Sequence, residues 1–67
     1  MTALEGTVSS FDEPRGVGIV AGNDGTDYAF HCTAIAGGSR TIEPGTRVRF
    51  EIHPALGRWE AAALEPV

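Results

Sequence analysis

The sequence contains no lysine, and its positive charge comes from five arginines set against nine aspartates and glutamates. The resulting formal net charge of −4 argues against a basic protein surface, which is what phosphate backbones usually meet. The net charge does not determine how the charged side chains are distributed over the surface. Arg40, Arg47 and Arg49 are close enough in sequence to form a patch, and Arg15 stands apart beside a glycine-rich run.

Cys32 is the only cysteine, so the chain cannot form an internal disulfide and lacks the paired-cysteine spacings of common metal sites. No apolar run approaches the roughly 18 residues of a membrane-spanning helix. Residues 1–5 have neither a basic start nor an apolar run, so we expect a cytoplasmic protein with no membrane partner. We expect residues 1–67 to form one domain with a thin core, since short chains bury a small share of their surface.

Short apolar runs alternate with polar residues and are separated by turn signals, a pattern typical of strands with one buried face. The sequence predicts a single helical turn near Ile35 and five strands: 4–11, 16–21, 27–32, 46–52 and 58–64. Residues 23–25 and 53–57 are predicted turns. An early three-strand meander, a longer connection and a final hairpin predict an all-β fold, a five-stranded antiparallel Greek-key barrel of the OB type.

The alternation also assigns the core of this barrel. The predicted core residues are Val8, Tyr28, Phe30, Ile35, Val48, Phe50 and Ile52. Trp59 is predicted to pack in the core or at the barrel end in preference to serving as a replacement platform for stacked bases. On the second strand, Val17 and Ile19 share one face and Gly18 and Val20 the other.

Four motifs follow one another in the order of a known family. They are GTVSSFD at 6–12, RGVGIV at 15–20, DYAFHCTAI at 27–35 and EPGTRVRF at 43–50. This series resembles the bacterial cold-shock domain, which reads G-x-V-K-W-F-N, K-G-F-G-F-I, D-[VI]-F-V-H-F-S-A-I and E-G-Q-x-V-x-F at these points. The resemblance extends over 6–64. It implies a barrel that binds single-stranded RNA or DNA by stacking bases on aromatic rings of the first three strands.

Carried over position by position, the family's binding face is depleted here. Its cations and rings are replaced at Ser9, Ser10, Val17, Ile19, Ala29 and Cys32. Phe11, Arg15 and His31 remain. The candidate nucleic-acid-binding residues are Phe11, Arg15, Val17, Ile19, Phe30, His31 and Trp59. Because each stacked base contributes about 1–3 kcal/mol, the loss of several rings predicts weak binding.

A second hypothesis assigns the same face to association with a protein. With Phe11, Val17, Ile19, Ala29 and Cys32 exposed, it would form an apolar patch for a protein partner or a homodimer. We expect no enzyme activity, cofactor, metal or small-molecule substrate. His31 and Cys32 are predicted to be neighbours on one strand and therefore to point to opposite faces, which excludes a nucleophile and base pair.

Overall fold

The structure is a computed structural model that describes residues 3–55 and 57–67. The strands are β1 (Ala3–Asp12), β2 (Val17–Gly22), β3 (Asp27–His31), β4 (Arg47–Ala55) and β5 (Arg58–Pro66). Two short 3₁₀ turns, Cys32–Ala34 and Ala36–Gly38, lie in the connection from β3 to β4. The strands form a closed barrel in the order β1-β2-β3-β5-β4, which confirms the predicted all-β five-stranded barrel. No helix in the described ranges has the length and apolar character needed to cross a bilayer.

Four of the five strand pairs are antiparallel, and the fifth, β3 with β5, is parallel. A ring with an odd number of strands cannot alternate direction all the way round, so one parallel pair is unavoidable. The β3–β5 ladder consists of the single pair Ala29 and Glu60, followed by a separate bridge between Ile35 and Leu64. Ahead of Ala29 and Glu60 the two strands form no ladder pair, and a concavity lined by residues of both strands lies there.

The core lies where alternate residues of all five strands point inward. Its buried members are Val8, Val20, Tyr28, Phe30, Ile35, Val48, Phe50, Ala61 and Leu64. All the predicted core residues belong to this set except Ile52, which is half-buried and packs against it. At the edge of the core, the Tyr28 hydroxyl donates a 2.6 Å hydrogen bond to the Asp24 carboxylate. This bond lowers the pKa of Asp24 and raises the pKa of Tyr28.

The hairpin of β4 and β5 extends further than the sequence pattern predicts. Residues 53–57 were expected to form a turn, but β4 continues to Ala55 and Pro54 pairs with Trp59. Leu56 of that predicted turn lies outside the described residues. The prediction that Trp59 packs in the core or at the barrel end is wrong, because its side chain is 59% exposed. The reason is that the extended hairpin places Trp59 opposite Pro54, two residues beyond the buried Ala61 on β5.

Candidate nucleic-acid interface

A groove of about 930 Å³ runs across β2 and β3 between the β1–β2 turn and the start of β5. We call it the aromatic groove. The residues that define it are Phe11, Val17, Ile19, Ala29, His31 and Arg58. Five of the seven predicted site residues line it, namely Phe11, Val17, Ile19, Phe30 and His31. Arg15 lies in the turn that forms one wall, and Trp59 lies in a neighbouring concavity.

The floor of the aromatic groove consists of two cross-strand pairs. Val17 of β2 is opposite His31 of β3, and Ile19 is opposite Ala29. Paired residues point to the same side of a sheet, so these four side chains form one outward surface. Val17 is 39% exposed, and the small Ala29 leaves the centre of the floor low. The result is an aliphatic platform with an imidazole at one corner.

The strand pattern predicts that Phe11 is exposed on this platform. In the structure its ring is half-buried. One extra residue, Ser9, interrupts the ladder between β1 and β2, so that Phe11 is opposite Gly18. Without the bulge Phe11 would pair with Val17 and face outward, since a shift of one residue reverses the face. Its half-buried ring instead stacks on Phe30, with ring centroids 5.9 Å apart and planes 11° apart.

Gly18 is what allows the two rings to meet. It lies between Phe11 and Phe30 in the β1–β2–β3 row. A Cβ at Gly18 would come within 2.7 Å of the Phe30 ring and 2.5 Å of the Ser10 carbonyl oxygen. Phe30 is 2% exposed, so it supports Phe11 and has almost no surface for a ligand. Within this pair the accessible aromatic surface belongs to Phe11.

The two cations beside the groove are each paired with a carboxylate. Arg15 Nε lies 3.9 Å from Asp12, and an Arg58 guanidinium nitrogen lies 3.3 Å from Glu60. All four groups are substantially solvated, so these pairs are worth little and a phosphate could replace either carboxylate. Glu13 also lines the groove. The local charge is therefore mixed, in keeping with the acidic composition.

The arginines later in the chain do not reinforce this site. Arg47 and Arg49 lie on β4, whose neighbours are β1 and β5, and Arg49 is 3.6 Å from Glu5. Arg40 lines a different cavity, together with Cys32 and other residues of the β3–β4 connection. The arginine patch that the sequence left open thus contributes nothing to the aromatic groove.

His31 caps the first 3₁₀ turn. As a result, the side chain of Cys32 does not have the orientation that the sequence predicts. Its Nδ1 accepts a hydrogen bond of 3.2 Å from the Thr33 backbone N–H. In the neutral ring the proton is then on Nε2. Cys32 was expected to point away from His31, but the strand ends at His31 and the turn brings the Cys32 sulfur to 3.8 Å from Nδ1.

The side chain of Cys32 does not lie in the exposed apolar patch that the sequence predicts. Its side chain is half-buried against the core, and its backbone N–H donates to the Gly16 carbonyl at 2.7 Å. The apolar patch predicted for a protein partner therefore contains Phe11, Val17, Ile19 and Ala29 without Cys32. Across the described residues, 3–55 and 57–67, no three His, Cys, Asp or Glu side chains are grouped closely enough to hold a metal ion.

Arg58 is a groove residue that sequence reasoning missed. It lines the aromatic groove and also a second concavity of about 520 Å³, the tryptophan groove, together with Trp59. Ile19 and Ala29 also line both, so the two grooves form one continuous surface. The signal for Arg58 was the predicted barrel itself, because closure places the start of β5 beside β3.

Comparison with known proteins finds a matching family and two relatives of this chain. The model of the 'cold-shock' DNA-binding domain matches residues 4–67. Cold shock protein 1 of Lactiplantibacillus plantarum is 40% identical over 62 residues, which cover 91% of this chain and 94% of that protein. Cold shock protein 2 of the same organism is 38% identical over 47 residues, covering 69% and 71% respectively.

Proposed function

We propose that this chain, which belongs to the family of cold-shock DNA-binding domains, binds single-stranded RNA or DNA along its aromatic groove. Proteins of this family bind nucleic acid and are not enzymes. The observation that carries the proposal is the outward platform of β2 and β3, bounded by Phe11 and by His31. Unpaired bases have apolar faces that such a platform can cover.

The proposed contacts follow from the position of each side chain. The exposed face of Phe11 and the imidazole of His31 stack on bases, and Val17 and Ile19 contact them through aliphatic surface. Arg15 exchanges its solvated partner Asp12 for a phosphate. None of these contacts reads a base edge, so the proposed binding has little sequence preference.

The proposed affinity is low. Two stacking groups, Phe11 and His31, contribute about 1–3 kcal/mol each, whereas a micromolar complex requires about 8 kcal/mol. The carboxylates of Asp12, Glu13 and Glu60 around the groove oppose the approach of phosphates. We therefore expect dissociation constants weaker than micromolar at physiological salt.

A substitution in the floor of the groove tests this function. Val17→Asp places a negative charge on the groove floor, opposite His31, and it should weaken binding of a fluorescein-labelled oligo-thymidine strand at low salt, measured by anisotropy. Val67→Asp is the matched control, because Val67 is 65% exposed and lines neither groove. Equal affinity of the two variants, or no binding by the unsubstituted chain, would rule the proposal out.

A second candidate is association with a protein partner or with another copy of this chain through the same face. The observation that favours it is the mixed charge around apolar Val17 and Ile19, with Arg15 beside Asp12 and Arg58 beside Glu60. Sedimentation equilibrium separates the two candidates. A dimer that Val17→Asp dissociates, in a chain that does not bind oligo-thymidine, would favour the second.

A further inference from the structure

We propose that Trp59 supplies the stacking ring that Ala29 lacks, so that bound single strands extend from the aromatic groove into the tryptophan groove. This inference deepens the proposed function and depends on it. The family pattern has phenylalanine at the position of Ala29. The site of this chain would thus be shifted toward β5.

The first argument is the exposure of the indole. Trp59 is 59% exposed, although tryptophan is the largest apolar side chain and gains most from burial. The β4–β5 hairpin holds it in this position, opposite Pro54 and beyond the core layer of Ala61. Its stability contribution in water is correspondingly small, and its ring surface is available to a ligand.

The second argument is continuity. The tryptophan groove is lined by Ile19, Ala29, Arg58 and Trp59, and the first three also line the aromatic groove. It lies where β3 and β5 form no ladder pair, ahead of their single pair at Ala29 and Glu60. Its volume of about 520 Å³ lies in the range of roughly 300–1,000 Å³ that is usual for small-ligand sites. A base above Ala29 would thus have space beside the indole.

The third argument is the chemistry of the groups around the indole. Arg58 lines both grooves and is positioned to contact the phosphate between a base on Ile19 and a base on Trp59. Asp27 and Thr26 also line the tryptophan groove and provide acceptors for the polar edge of a base. A purely apolar protein partner would leave these groups unpaired, which favours a nucleotide as the occupant.

The length of the probe follows from the barrel. Across the face of β2 and β3, Phe11 on β1 and Trp59 on β5 are three strand spacings apart, or roughly 14 Å at about 4.8 Å per spacing. A stacked strand rises about 3.4 Å per nucleotide along its axis, so about four nucleotides bridge the two grooves. Hexathymidine is long enough to occupy both.

The test uses the single tryptophan of the sequence as its reporter. Hexathymidine is titrated at low salt while tryptophan emission and the anisotropy of a labelled hexathymidine are measured. We expect both signals to saturate with the same midpoint. Trp59→Ala should weaken binding by about 5- to 150-fold, the range for one stacked base, while Trp59→Phe keeps a ring and most of the affinity. Val67→Ala, a substitution of a similarly exposed apolar side chain outside the grooves, should leave the affinity unchanged.

The outcomes separate this inference from the function on which it depends. If anisotropy shows binding while emission is constant and Trp59→Ala binds like the unsubstituted chain, the role of Trp59 is overturned and the proposed function stands. If anisotropy shows no binding by any variant, both are overturned. Thermal unfolding of Trp59→Ala is the folding control, and the exposure of the indole predicts a midpoint near that of the unsubstituted chain.

Discussion

Replacing Gly18 with alanine tests the physical basis of the aromatic groove. The added Cβ would lie 2.7 Å from the Phe30 ring and 2.5 Å from the Ser10 carbonyl oxygen, so either the ring or β1 must move. Both neighbours are constrained, because Phe30 is buried and Ser10 belongs to the β1–β2 ladder. Overpacking of this kind costs about 1–3 kcal/mol. For a domain of this size each kcal/mol lowers the unfolding midpoint by about 4–8 °C.

The assay combines thermal unfolding with the proton shifts of the aromatic rings. We expect Gly18→Ala to lower the midpoint and to shift the ring protons of both Phe11 and Phe30, since their stacking depends on this glycine. Gly25→Ala is the control: it has a positive φ but no atom within 4 Å of the new Cβ. It should also cost stability through backbone strain, yet leave the aromatic shifts unchanged. Ring shifts in Gly18→Ala identical to those of the unsubstituted chain would show that the stacking of Phe11 on Phe30 does not depend on this glycine.

Three further predictions concern other parts of the molecule. Ala63 has φ of 53°, so Ala63→Gly should raise the unfolding midpoint by relieving about 1 kcal/mol of left-handed strain; a lower midpoint would contradict this. The lowered pKa of Asp24 stabilises the fold above pH 3.8, its ordinary value, and this contribution disappears as the pH falls through the lowered pKa. Tyr28→Phe should therefore flatten the loss of stability in acid, and an unchanged acid limb would show that the Tyr28 bond is not its cause. If Arg15 and Arg58 both contact phosphates, log K for oligo-thymidine should fall with log salt at a slope of about −1.4, and a slope near zero would exclude both contacts.

The local alternation of the sequence was sufficient for most of the barrel. Val48 and Phe50 alternate with charged residues, and Val8 is an apolar residue of the first predicted strand, so each could be assigned to the core from its own strand. The face shared by Val17 and Ile19 followed from the same period of two. These predictions succeeded because they depend on neighbours within one strand.

The candidate site was less predictable because it depends on relations between strands. The bulge at Ser9 changes the face of Phe11, and nothing in the β1 sequence alone specifies where the ladder shifts. The exposure of Trp59 depends on how far the β4–β5 hairpin extends, and a histidine followed by proline was more typical of a turn than of a continuing strand. Arg58 became a groove residue only when closure placed β5 beside β3.

Binding of single strands along the aromatic groove is tested by a map of backbone amide shifts during titration of the uniformly ¹⁵N-labelled chain with hexathymidine at low and moderate salt. Binding along the aromatic groove predicts saturable shifts concentrated at Val17, Ile19, His31 and the residues around Phe11 and Arg15, with weaker binding at the higher salt. Shifts confined to β4, or none at millimolar protein, would contradict it and would direct attention to a protein partner of the same face.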